Sequence, residues 1–146
     1  MSSSGGDVVA SLKSVSGSLA ADVSMAQNTL TTIITTASLD VGTWLVNVSF
    51  PFETTSTGQS LDVETVSGTA TATLSGASAS TVGYVTAIAN GAILGVTLSF
   101  VATVTAAGTL VIQGEMTGSA TAATIPHLSG TQSYPNVAGY TAVKIA

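Results

Sequence analysis

One stretch limits the choice of fold more than any other. Gly42 to Phe52 reads GTWLVNVSFPF and holds the only tryptophan and two of the three phenylalanines. Trp44, Val46, Val48, Phe50 and Phe52 occupy its even positions, while Asn47, Ser49 and Pro51 fall on odd ones. A period of two places one set on a single strand face. Large aromatics contribute much of the buried area of a small core. This strand is therefore expected to lie at the centre of a β-domain, with these five residues as core.

A second stretch repeats the pattern. Leu94, Val96, Leu98, Phe100, Ala102 and Val104 alternate with Gly95, Thr97, Ser99, Val101 and Thr103. No charge lies between Glu64 and Glu115, so a membrane-spanning helix has to be considered. The alternation is that of a strand, Ala107-Gly108 supplies a turn, and no basic flank marks a membrane orientation. Leu98 and Phe100 join the expected core. The start, MSSSGGD, lacks the basic and apolar segments of a signal peptide. The expectation is a protein made in the cytoplasm, with no membrane partner.

The rest of the chain reads as further strands. Asp22 to Ala26, Leu30 to Leu39, Leu61 to Leu74, Thr81 to Ala89, Leu110 to Met116 and Tyr140 to Ile145 carry apolar alternation or β-branched runs. Gly68 is a candidate bulge, Pro51 suggests an edge or bulge, and Asn90-Gly91 is a hairpin signal. Ser75 to Ser80 reads as a turn and Gly118 to Tyr134 as irregular. Roughly eight to nine short strands without a convincing internal helix imply an all-β antiparallel sandwich or barrel, and eight strands in two sheets is the jelly-roll count. The 146 residues suit one domain, expected over 21–146.

Residues 1–20 form an expected N-terminal arm. Met1 to Gly6 is Ser/Gly-rich. Val8, Leu12, Val15 and Leu19 would share one helical face, but Gly17 and the serines weaken a helix. The segment is either a linker or edge strand, or an arm that docks on a partner. An apolar arm on a soluble domain usually has something to cover. The docking reading assigns Asp7, Val8, Val9, Leu12, Lys13, Val15 and Leu19 to that contact.

Composition narrows the function. Charged residues make up 6% of the chain, and 24 Thr with 20 Ser take their place. The net charge is −5 and the only basic residues are Lys13 and Lys144, so the chain has no footprint for nucleic acid. With no cysteine there is neither a disulfide nor a thiolate metal site. His127 is the only histidine and no GxSxG elbow accompanies it. Asp62 and Glu64 share a strand face, as a glycosidase pair or calcium ligands would require, but no further acidic cluster completes such a site. No catalytic, cofactor or metal site is assigned, and an enzyme is not expected. Tyr84, Tyr134 and Tyr140 stand apart from the Trp/Phe group, and tyrosine is enriched at subunit interfaces.

Two segments carry a resemblance. LAADVSMAQNTLTTIITTASLDVGTWLVNVSFPF, from Leu19 to Phe52, and the closing GYTAVKIA resemble a β-domain of tailed-phage structural proteins. Such domains look like trimeric jelly rolls of the tumour necrosis factor and complement type. The resemblance implies a homotrimer whose closing strand lies near the threefold axis, with Tyr140, Ala142 and Tyr84 facing that axis. A head with no collagen-like or coiled-coil stalk is more similar to a capsid decoration, or cement, protein than to a fibre. The implied role is stabilisation of a phage head on its outer surface, with the major capsid protein as partner and the virion as location. The alternative is a tail-fibre or receptor-binding head that touches host glycan through the Thr54–Ser60 and Ala123–Ala138 loops. No cofactor is implied.

Overall fold

Strand β4, Gly42–Thr54, is the axis of the larger sheet. A computed structural model describes residues 12–54, 59–82, 93–118, 122–126 and 138–146. These residues form eleven strands and no helix. The remaining ten are β1 Ser14–Ser18, β2 Val23–Ala26, β3 Leu30–Thr35, β5 Gln59–Ser67, β6 Thr71–Ala77, β7 Ala79–Val82, β8 Ile93–Ala106, β9 Leu110–Gly118, β10 Ala122–Ile125 and β11 Gly139–Lys144.

Sheet A has seven strands arranged around β4. On one flank β4 pairs with β8 from Gly42↔Val104 to Glu53↔Ile93, and β8 pairs in turn with β6. On the other flank, β11 pairs with β4 from Lys144↔Trp44 to Gly139↔Ser49, and β1 lies outside β11. Further along that flank, β10 meets β4 at Glu53 and Thr54 and carries β2. Sheet B runs in the order β3-β9-β5-β7. All named pairs are antiparallel, and the two sheets make a sandwich-like arrangement.

The period-two reading of β4 and β8 has a direct physical counterpart. Trp44, Val46, Val48, Phe50 and Phe52 are buried, as are Val96, Leu98, Phe100, Ala102 and Val104. They form one cluster with Ile33, Leu39, Leu61, Val63, Leu110, Ile112 and Met116 from the sheet B side. The Trp44 indole donates to the Asp40 carbonyl at 2.9 Å, so its polar edge is satisfied while its ring is covered. Pro51 occupies a central strand, not an edge. It falls where the β11 ladder has ended at Ser49 and the β10 ladder has not begun, so no strand on that flank needs its missing N–H.

Four expectations on the strands differ from the structure. Leu61 to Leu74 is not one strand with a bulge, because the chain leaves sheet B at Ser67 and enters sheet A at Thr71. At the crossing, the Gly68 and Ala70 amides both donate to the Thr109 carbonyl, which pins the corner to the β8–β9 connection. The expected turn at Ser75 to Ser80 is mostly strand, divided between β6 and β7. Part of the segment read as irregular after Gly118 forms β10. The arm boundary at residue 20 also falls too late, because Ser14–Ser18 is an edge strand paired with β11. Asn90-Gly91, His127 and Tyr134 lie outside the described residues, as does most of the expected Thr81 to Ala89 strand.

Two outcomes follow for stability. Trp44→Ala should cost about 3–5 kcal/mol in denaturant unfolding, because the ring is fully buried. The Thr65 hydroxyl is buried without a hydrogen-bond partner. Thr65→Val removes that orphan group with little change of shape, and should raise stability by about 1 kcal/mol in the same measurement.

Candidate functional surface

The outward face of sheet A is built from side chains that alternate with the core. Three cross-strand rows define it. Ser18, Gly139, Ser49 and Thr97 form one, and Ser16, Thr141, Asn47 and Ser99 the next. Ser14, Val143, Leu45 and Val101 form the third. None of these positions carries a charge. Apart from Ser99, the first two rows line a shallow groove of hydroxyl and amide groups, and the Ser99 hydroxyl donates to Oδ1 of Asn47, one of its lining residues, at 2.8 Å.

Two glycines let the edge strand β1 lie close against β11. A Cβ on Gly17 would stand 2.7 Å from the Tyr140 ring, and one on Gly139 would stand 2.5 Å from the Gly17 carbonyl oxygen. Gly17, which weakened a helix in the sequence, leaves room for the Tyr140 ring. The spacing of Gly17 and Tyr140 along the chain gives no sign of that contact.

The third row continues into an apolar corner. Leu12 leads into β1 and Ile145 leads out of β11, with the Ile145 amide donating to the Thr43 carbonyl at 2.8 Å. Val41 precedes β4 at the same end. Leu12, Val41, Leu45 and Ile145 are 63%, 56%, 38% and 49% exposed, and Leu30 is the fifth large hydrophobic exposed among the described residues. Both lysines close this end. Lys13 forms an ion pair with Asp40, its carbonyl accepts from the Lys144 amide at 2.8 Å, and the Lys144 side chain lies over Gly42.

The expected docking residues divide accordingly. Asp7, Val8 and Val9 lie outside the described residues. Leu12 is exposed, and Lys13 is exposed and held by Asp40. Val15 and Leu19 are partly buried against the core, and the Leu19 amide donates to the Ala138 carbonyl. Those two are therefore domain residues more than arm residues. Of the residues assigned to a trimer axis, Tyr84 lies outside the described residues. Tyr140 is 7% exposed and Ala142 is fully covered. Both point into the sandwich, and the Tyr140 hydroxyl accepts from the Ala37 amide at 2.6 Å. Side chains enclosed by their own chain have little surface left for an axis, so the assignment of Tyr140 and Ala142 is corrected. The alternate residues of β11, Thr141 and Val143, face outward.

Sheet B carries a face of different character. Leu30, Glu115 and Asp62 are consecutive partners in one row, and Glu64 lies in the next, where it accepts from Gln113 Nε2 at 2.7 Å. A shallow depression joins these residues. Among the described residues, no group of three or more metal-ligating side chains gathers to hold an ion. No helix among them is long and apolar enough to cross a membrane.

No known protein family, curated protein or solved structure matches this chain.

The hydrogen bond and charge of Lys13 hold the Asp40 carboxyl below the ordinary aspartate range. A depressed folded-state pKa contributes stability that is complete above the unfolded value of about 3.9 and disappears as pH falls through the folded value. Asp40→Asn should therefore flatten the acid limb of a thermal midpoint against pH profile. The effect should be small and weaken further with salt, because the pair is exposed.

Proposed function

We propose that this chain is a structural virion protein, a homotrimeric capsid decoration protein that binds the outer surface of a phage head. The observation that carries the reading is the apolar corner at Leu12, Leu45 and Ile145, where the N-terminal segment meets the domain. Monomeric soluble proteins rarely leave such a patch without a partner. The strand order adds support for a jelly roll. Strands β1-β11-β4-β8 and β3-β9-β5-β7 are two four-stranded antiparallel layers, and the chain alternates between sheets from β3 through β10. Two four-stranded layers are what an eight-strand, double-sheet jelly roll would have, with β2, β6 and β10 as additions.

The role is mechanical. A trimer seated at threefold or quasi-threefold points would bridge neighbouring capsid subunits. Binding that exists only in the assembled shell stabilises that shell by linkage. Three weak arm contacts combine through effective concentration.

Because β1 belongs to the sheet, the informative truncation removes residues 1–11 and leaves Ser14–Ser18 in place. Full-length protein should co-sediment saturably with undecorated capsids. The truncated chain should keep its β circular dichroism and thermal midpoint but lose most of that binding. Absence of co-sedimentation by the full chain would refute the decoration reading.

A further inference from the structure

One edge of sheet A is a single run of chain. β1 lies outside β11, β2 lies outside β10, and both run in the direction of β4. The bend at residues 19–22 that joins them is slack. Six residues separate Ser18 from Ser24, while the β4 residues in their rows, Ser49 and Glu53, are four apart. The surplus adds about 7 Å of chain at the rise of a strand, so β1 can swing away without drawing β2 from its partner. The two strands are also held unequally. β2 sends Met25 into the core, where it is 1% exposed. From β1 only Val15, with Leu19 just beyond it, reaches the core, and both stay partly exposed. Among the described residues the one strand partner of β1 is β11. In SVSGS only Val15 is a type favoured in strands, and Gly17 loses much freedom on ordering. The ion pair at its start, Lys13 with Asp40, is exposed and worth little. Local stability follows buried contacts, so β1 opens more readily than β2.

We propose that β1 is an exchangeable strand, which opens from β11 about the 19–22 bend and leaves an edge that residues 13–19 of a second copy occupy. An uncovered strand edge accepts an extended segment through its backbone N–H and C=O groups. This edge adds a steric condition, and the strand lying on it shows what satisfies that condition. A Cβ on the residue opposite Tyr140 would stand 2.7 Å from the ring, and Gly17 is the residue there. The ends of the segment are fixed by the Lys144 amide donating to the Lys13 carbonyl and the Leu19 amide donating to the Ala138 carbonyl. Val15 falls between them, opposite Ala142. The β1 of a second copy meets each condition because it is the same sequence, and exchange of an identical element needs no new complementarity. The inference concerns contact between copies and does not rest on the capsid reading.

The sequence contains no cysteine, so introduced thiols report strand pairing without background. Ser16 and Thr141 are opposed across β1 and β11. The full-length chain carrying Ser16→Cys is incubated, reduced and concentrated, with the full-length chain carrying Thr141→Cys, and the mixture is then oxidised. Circular dichroism first shows that each variant is folded. Peptide mass spectrometry should find the disulfide between positions 16 and 141 about tenfold in excess of the two same-site disulfides, because a docked strand holds those two thiols together. Adding Gly17→Ala to the Ser16→Cys chain should remove that excess and leave the same-site disulfides as they were. The chain carrying both Ser16→Cys and Thr141→Cys should close the bond within itself when dilute, and should then take no part in exchange. Random collision gives the three disulfides in comparable amounts, and that result overturns the proposal. So does an excess that survives Gly17→Ala, because contact between intact copies would then be its source.

Discussion

Burial of the aromatic face of β4 is the contact on which the other elements depend. Trp44, Phe50 and Phe52 are among the largest fully enclosed side chains, and no single neighbouring strand could enclose them. Within the sheet β8 flanks all three and β11 flanks Trp44, and Leu61, Leu110, Ile112 and Met116 join them in one cluster from sheet B. An antiparallel sheet with one apolar face needs a second layer. Sheet B meets that need, and its own outward face is left to solvent, where Asp62, Glu64 and Glu115 collect.

The same alternation that builds the core also creates the surface. Each inward residue of β4 is followed by an outward one, so the sequence TWLVNVSF supplies both Trp44 for the interior and Leu45 for the exposed corner. With so few charges in the chain, hydroxyl and amide groups cover most of sheet A. Ser and Thr solvate a strand face without the long-range fields that Lys and Glu would add. The few charges present are therefore conspicuous. Both lysines gather at one end of sheet A, and three of the seven acidic residues share one face of sheet B.

Some elements were legible because their signal is local. β4, β8, β9 and β11 each carry a run of alternating large and small or polar residues, and a strand shows that period regardless of its neighbours. Other features depend on contacts distant in the chain. Gly68 looked like a bulge, but the carbonyl of Thr109 turns it into a crossing between sheets. Ser14–Ser18 has almost no apolar content and becomes a strand because β11 offers it a free edge. Tyr140 looked like an interface residue because tyrosine often is one. Its ring instead fills the space left by Gly17, and its hydroxyl meets the Ala37 amide.

By itself, the sequence determined that this chain is all-β, that Trp44 to Phe52 lies at its core, and that it is acidic with only two cations. These follow from period, side-chain volume and charge, which do not depend on where the chain goes. Only the tertiary structure decided which strands share a sheet, that Tyr140 and Ala142 face inward, and that Leu12, Leu45 and Ile145 meet at one corner. Those outcomes rest on pairings between residues far apart in the chain, such as Leu45 with Val143 and with Val101. Period-two alternation states which side of a strand is apolar, but it does not state which strand lies beside it.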